Sequence, residues 1–248
     1  MACSLPPEIL DLIVGHLRNK PSALKKCCVL SKSWVPRTRR YLFAHIRFHF
    51  ARRSIESWKL AFPDPSNSLA HHARTLSFLE QNPSTLADPD VGCWVRTLYR
   101  VESLYVNTFG RNHGFSFVQF HGFSPTLRSL TLSHISIPLQ EIFNLVCSFP
   151  LLEDLGLTAI VHKRDTNGWE IPSTSPKLTG YLKIKGGLRP VVRRLCDLPG
   201  GLRFSKIRVS HDNEEPTLAT DLVSRCSDTL KFLTISHYAS GAFFFQLR

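Results

Sequence analysis

Long apolar runs are missing from this chain. No stretch of its 248 residues approaches the ~20 consecutive apolar residues that cross a bilayer as a helix, so no membrane-spanning helix is expected. The N-terminus has no basic region followed by an apolar run and a small-residue cleavage site, which argues against a secretion signal. No N-x-S/T glycosylation acceptor occurs, because Asn82 is followed by proline. The seven cysteines (Cys3, Cys27, Cys28, Cys93, Cys147, Cys196, Cys226) are odd in number and scattered, and none form C-x-x-C. They read as buried thiols of a reducing compartment, not as a disulfide framework or a zinc site. Together these absences point to the cytoplasm, the nucleus or both.

Catalytic signatures are missing as well. A hydrolase needs a nucleophile on a sharp turn, and no G-x-S-x-G occurs; Ser124, in Gly122-Phe123-Ser124-Pro125, lacks the second glycine. Neither a G-x-x-x-x-G-K-[ST] phosphate loop nor a G-x-G-x-x-G fingerprint is present, and Gly186-Gly187 and Gly200-Gly201 read as turns. His45 and His49 are four apart on a segment that Phe43, Ile46 and Phe48 mark as a strand, where such residues sit ~13 Å apart. His71 and His72, if on a strand, would point to opposite faces. Cys27 and Cys28 read as small core residues despite Lys25 and Lys26 beside them. No catalytic residue, metal or cofactor is expected, and the chain does not read as an enzyme.

Negative charge is scarce too: 19 Asp and Glu stand against 31 Lys and Arg, for a net charge of +12. The excess is uneven. Residues 18–59 hold twelve Lys and Arg against Glu56 alone, which leaves +1 for everything else. Such a run is a solvated face, a surface for an acidic protein, or a nucleic-acid site. It lacks the stacking-aromatic pattern and the zinc or helix-turn-helix signature of nucleic-acid readers.

What is present begins at the N-terminus. Pro6 and Pro7 suit a first helical turn, where a missing N–H costs nothing, and Glu8 suits the positive end of the helix dipole. At about 100° per residue, Ile9, Leu10, Leu12, Ile13, Val14 and Leu17 spread over roughly 200°, about twice the arc one neighbour covers. A segment of about forty residues rarely buries enough surface to stand alone. This helix therefore faces its own domain on one side and something else on the other.

Leu5-Pro6-Pro7-Glu8-Ile9-Leu10, Ile13, Leu17, Leu24, Cys28-Val29, Ser31 and Trp34 resemble an F-box. F-boxes plug substrate receptors into cullin-RING (SCF-type) ubiquitin ligases through a Skp-family adaptor. The resemblance covers residues 4–45. One departure is Val29-Leu30-Ser31-Lys32-Ser33-Trp34, since the family more often has cysteine and a basic residue just before the tryptophan. The resemblance implies adaptor binding through Leu5, Pro6, Ile9, Leu10, Ile13, Leu24, Val29 and Trp34. Skp-family adaptors are acidic, which would absorb part of the basic excess.

The rest of the chain repeats itself. The pattern apolar-x-x-apolar-x-apolar occurs at Ala73, Leu76, Phe78, then at Val101, Leu104, Val106, at Leu127, Leu130, Leu132 and at Leu152, Leu155, Leu157. It continues at Thr179, Leu182, Ile184, at Phe204, Ile207, Val209 and at Leu230, Leu233, Ile235. Successive copies start 28, 26, 25, 27, 25 and 26 residues apart, and a weaker copy at Phe43, Ile46, Phe48 precedes them by 30. Each copy predicts a short strand with one buried face. Helical stripes lie between them: Leu139, Ile142, Phe143, Val146 and Cys147; Val191, Val192, Leu195 and Leu198; Leu222, Val223 and Cys226. A strand and a helix in ~26 residues cannot bury their apolar faces alone, but stacked copies share a core.

These repeats resemble the irregular leucine-rich repeats attached to F-boxes in large fungal receptor families. The usual asparagine after the strand is kept only at Asn107, with Ser133, Thr158, Lys185, Ser210 and Ser236 in its place. The expected fold is thus α/β: a three-helix F-box module (4–45), a connecting strand, helix and linker (46–69), and a curved solenoid (70–248) with strands inside and helices outside. A doubly wound α/β domain is the alternative. Phe243-Phe244-Phe245 reads as an uncapped edge, which predicts a truncated solenoid end unless these residues fold back as the cap.

On the repeat reading, residues flanking the buried strand positions share the open face. There Lys183 neighbours Arg208 and Tyr181 neighbours Lys206, with Asp154 the only carboxylate in the set. Like charges side by side are unfavourable unless something acidic neutralises them. Tyr181, Lys183, Lys185, Lys206 and Arg208 are therefore the candidate client-binding residues, for an acidic or phosphorylated segment. The functional expectation is a substrate-recognition subunit of a cullin-RING ligase; a basic nucleic-acid-binding repeat protein and a scaffold without ligase association are the alternatives.

Overall fold

The computed structural model describes residues 5–49, 51–63, 69–79, 96–109, 118–123, 125–163, 170–171, 173–186, 189–211, 217–237 and 241–246. Cys3, Cys93, Ser124, Gly187 and residues 238–240 lie outside them. Three helices open the chain: α1 (Pro7–His16), α2 (Pro21–Leu30) and α3 (Val35–Leu42), the last entered through a 3-10 turn at Lys32–Trp34. Each of the three carries proline in its first turn, where no N–H partner is lost. Leu10 and Val14 of α1 and Leu24 and Cys27 of α2 are buried. α2 packs along α3. Thr38 is fully buried in α3; its hydroxyl bonds the Trp34 carbonyl at 2.9 Å and lies 2.8 Å from the Cys28 thiol. Arg37 ties α3 to α1 through an ion pair with Asp11 at 2.9 Å.

Strand β1 (His45–His49) and helix α4 (Ala51–Ala61) follow, then β2 (Thr75–Leu79), β3 (Ser103–Asn107) and β4 (Ser129–Ser133). After them come β5 (Ser136–Pro138), α5 (Leu139–Cys147), β6 (Asp154–Thr158), β7 (Val161–Lys163) and β8 (Tyr181–Lys185). Helix α6 (Arg189–Cys196), β9 (Lys206–His211), α7 (Thr217–Arg225), β10 (Phe232–His237) and β11 (Gly241–Gln246) complete the order. Nine strands make one sheet, in the order β1-β2-β3-β4-β6-β8-β9-β10-β11, and β5 pairs with β7 in a second, two-stranded sheet. All neighbours in the large sheet are parallel except β10 and β11.

The register carries the repeat directly. His45 pairs with Thr75, Thr75 with Ser103, Ser103 with Ser129, Ser129 with Asp154, Tyr181 with Lys206, and Lys206 with Phe232. Each strand is joined to the equivalent residues of the next copy, including the weak first copy at Ile46 and Phe48. A doubly wound sheet reverses its order at a switch point and is covered on both faces. Here the order runs forward without reversal. Parallel crossovers are right-handed, so strands that step always in one direction carry their crossover helices on one face, and among the described residues α5, α6 and α7 pack there.

That face holds the core. Leu76, Leu104, Leu130, Leu155, Leu182 and Ile207 form one continuous cluster with Ile142 and Phe143 of α5, Val191 and Leu195 of α6, and Leu222 of α7. An aromatic chain ties the N-terminal helices to it. Trp58 of α4 lies 6.0 Å from Phe43 and 6.1 Å from Phe48, and Phe48 stacks on Phe78 at 5.6 Å.

One expectation changes, and two points left open by the sequence are decided. Thr179 is exposed, and Leu178 takes its buried place. The chain gains the extra residue by turning left-handed at Leu178 (φ 42°). His71 and His72 are not on a strand: they occupy a 3-10 turn at Leu69–His72, with ring centroids 3.9 Å apart. The final strand folds back, so Gly241–Gln246 pairs antiparallel with β10.

Turns after the strands also repeat. The N–H of Thr108 bonds the Ser133 carbonyl, His134 bonds Thr158, Ala159 bonds Lys185, and Gly186 bonds Ser210, at 2.8–3.3 Å. His134, Ala159 and Gly186 are all left-handed. Asn107 makes its turn with its side chain, whose Oδ1 accepts the Phe109 N–H at 3.0 Å. This is the local bond that an asparagine offers and a serine or lysine at the equivalent position offers less well or not at all.

Candidate functional site

Two surfaces combine chemistry with accessibility. The first is the outer side of α1. Leu10 and Val14 turn into the module, while Leu5 and Ile9 stay 48% and 42% exposed and Leu12 61%. Ile9 and Leu12, three apart, share one helical stripe, and Leu5 lies just ahead of the first turn. Pro6 is exposed beside them, and Ile13 is half-buried. The end of α2 adds Val29 and Leu30, 86% and 71% exposed. A shallow groove lined by Asp11, Leu12, Gly15, His16 and Tyr41 runs where α1 meets α3.

The eight implied adaptor residues therefore separate. Leu5, Pro6, Ile9 and Val29 are exposed, Ile13 and Trp34 are half-buried, and Leu10 and Leu24 are inside the module. Leu12 and Leu30 were not among them. Their apolar character was visible in the sequence, but which side of a 200° arc faces inward depends on where α3 lies. Arg18, Lys20, Lys25, Lys26, Lys32, Arg39 and Arg40 are all exposed on this helical segment, with Arg39 and Arg40 on the side of α3 that faces the Leu69–His72 turn.

The second surface is the open face of the large sheet. Its rungs follow from the register: Tyr181, Lys206 and Phe232 on one, and Gly156, Lys183, Arg208 and Thr234 on the next. Tyr181 and Lys183 are half-buried; Lys185, Lys206 and Arg208 are exposed. The Lys206 ammonium lies 5.6 Å from the Tyr181 ring centroid and 5.7 Å from that of Phe232. Two ring faces thus hold one cation. The Asp154 carboxylate is turned to the backbone, accepting the Tyr181 N–H at 2.6 Å. Gly180 sits close beside it, and a Cβ there would push that carboxylate aside. All five candidate client residues lie together on this face.

At the other end of the face stand His45, Arg47 and His49, all exposed on β1. Reading Phe43, Ile46 and Phe48 as a full repeat would have placed them there. Between the two basic ends the face is neutral apart from Asp154: Thr75 and Ser77, Ser103 and Tyr105, Ser129 and Thr131.

Thiols are set back from both surfaces. Burial pushes Cys147 up to about 11 and raises Cys196 and Cys226, so all three stay protonated at neutral pH. In comparisons with known proteins, no family model matches the chain and no curated protein matches it.

Proposed function

We propose that this chain is a non-catalytic substrate receptor of the F-box type, a subunit of a cullin-RING ubiquitin ligase. Helices α1–α3 dock on a Skp-family adaptor through Ile9 and Leu12 of α1, Leu5 just before it, and the Val29 and Leu30 end of α2. The strand-and-helix repeats form a leucine-rich-repeat-like solenoid that presents a client on its open face. Catalysis belongs to other subunits, and this chain contributes positioning.

The observation that carries the reading is α1 itself. Its inner residues are buried in the module while a row of aliphatics on its other side remains exposed. Each buried aliphatic side chain is worth about 1.5–3 kcal/mol, so covering that row is a substantial driving force for one partner. The exposed cations of this helical segment suit an acidic partner and speed its approach.

The test is co-purification of the full chain with identification of what it carries. A Skp-family protein retained by the wild type and lost on Pro6→Ala with Ile9→Asp and Ile13→Asp supports the reading. Retention of nucleic acid instead, falling steeply with salt and with no adaptor bound, would replace it by the nucleic-acid reading.

A further inference from the structure

We propose that the seam between α3 and the start of the sheet is a binding site for a small phosphate-class oxyanion, held by Arg39, Arg40 and Arg100 around His72. The site stands on the packing of α3 against the first repeats and is independent of the receptor reading.

Three separate elements bring these groups together. Arg39 and Arg40 lie exposed in the last turn of α3, which packs on the Leu69–His72 turn. His72 is three residues before Thr75 and Arg100 is three before Ser103, and Thr75 and Ser103 are register partners. The rim is stitched at that level: the Arg74 N–H bonds the Ala44 carbonyl at 2.9 Å, and the Glu102 N–H bonds the Arg74 carbonyl at 2.8 Å. Neighbouring parallel strands lie about 4.8 Å apart, so His72 and Arg100 share one corner of the sheet. His71 stands against His72, with ring centroids 3.9 Å apart.

The positive charge at this corner is not answered by the chain. Among the described residues neither Arg39 nor Arg100 has a carboxylate partner, and the rim acid Glu102 is taken by Arg74 at 2.7 Å. Arg40 lies 5.0 Å from the Tyr41 ring centroid and Arg100 5.5 Å from that of Tyr99, which orients the two guanidiniums without neutralising them. After its own burial, the groups that act on His72 are His71, Arg100, Arg39 and Arg40, with no carboxylate among them. A phosphate-class anion brings close to two charges and several acceptor oxygens, and each guanidinium fork takes two of those oxygens.

A long polyanion fits less well. Along the rim beyond this corner the charges are already paired, Arg74 with Glu102 and Arg128 with Glu153, and both carboxylates are exposed. An extended nucleic-acid strand would lay its next phosphates against them. Once bound, the small anion joins α3 to the sheet and replaces the repulsion on His72 by attraction. It therefore favours the protonated ring, and its affinity rises as pH falls.

The test titrates the full chain with inorganic pyrophosphate at constant ionic strength, reading backbone amide shifts in α3, in the Leu69–His72 turn and just before β3. We expect saturable shifts on all three segments. R39Q/R100Q should lose about tenfold or more in affinity, and R100K should fall between. Arg203→Ala removes an exposed cation at the equivalent rim position of β9, four strands from β3, and should bind as wild type. Sulfate stays doubly charged across the range, so it separates the protein's titration from the ligand's. Its affinity should rise about threefold or more from pH 7.5 to pH 5.5, and by less in His72→Gln. If R39Q/R100Q melts lower than wild type, R39Q and R100K separately carry the test. Shifts confined to one segment, pyrophosphate binding that survives the substitutions, or a sulfate pH profile that His72→Gln leaves unchanged overturns the proposal. So does a single-stranded oligonucleotide bound tighter than pyrophosphate through the same arginines.

Discussion

At the scale of single residues, the informative positions are those where the backbone or the charge state is held against its preference. Ala159 is left-handed at φ 48°, which costs a non-glycine residue about 1–2 kcal/mol. Glycine relieves that cost but loses about 0.4–1 kcal/mol through the freer unfolded chain. Ala159→Gly is therefore expected to raise stability by about 0.5–1 kcal/mol in urea denaturation. Leu178 is also left-handed, at φ 42°, but it is fully buried. Removing a buried leucine costs about 2–5 kcal/mol, more than the strain returned, so Leu178→Gly is expected to destabilise. The same measurement distinguishes the two.

His72 is the second such residue. Burial first, and then the positive charge of His71, Arg100, Arg39 and Arg40, hold its pKa below the ordinary 6.5. The folded chain therefore favours neutral His72, and the unfolded chain binds the proton more readily. The stability this brings is present above pH 6.5 and is lost as pH falls through the depressed folded value. Wild type should lose more stability than His72→Gln between pH 7.5 and pH 5.5, read as the difference in urea midpoints. The sequence held the two histidines but not this effect, because Arg39 and Arg40 come near only when α3 packs on the Leu69–His72 turn, and Arg100 only through the fold of the chain just before β3.

At the scale of elements, α1 tests the division between inside and outside. Leu10 is buried and Ile9 beside it is not. Leu10→Ala is expected to cost about 2–4 kcal/mol, while Ile9→Asp should leave the denaturation midpoint nearly unchanged. If Ile9→Asp unfolds the module, that side of α1 is core and its proposed partner surface disappears. The helices of the repeats were more legible. Stripes at Leu139 to Cys147 and Val191 to Leu195 coincide with α5 and α6, because a helix lying on the surface of a core needs one apolar stripe and that stripe is local. Ion pairs at the strand starts show what was not local. Arg74 meets Glu102 at 2.7 Å and Arg128 meets Glu153, each pair 25 or more residues apart in the chain, and only the register joins them.

At the scale of the molecule, each repeat leans on its neighbours. Stability of such a stack is a sum of repeat and nearest-neighbour terms. Leu132→Ala, in the middle of the sheet, is expected to cost about 2–5 kcal/mol. Hydrogen exchange should show the largest loss of protection in β3, β4 and β6 and a smaller one in β1. Uniform loss across all strands would mean that the sheet unfolds as one unit.

The sequence by itself determined eight of the nine strands of the large sheet, their spacing and most of their buried positions, since alternation and the ~26-residue period are properties of the chain. It also placed Lys183 next to Arg208 once the period was read. Only the tertiary structure decided that the strands follow one another without reversal and that Leu178 replaces Thr179 in the core. It alone decided that Asp154 is engaged by a backbone N–H and that α1 keeps Leu5, Ile9 and Leu12 outside. These depend on groups far apart in sequence meeting in one place, and no local pattern encodes which of several apolar or charged neighbours will arrive.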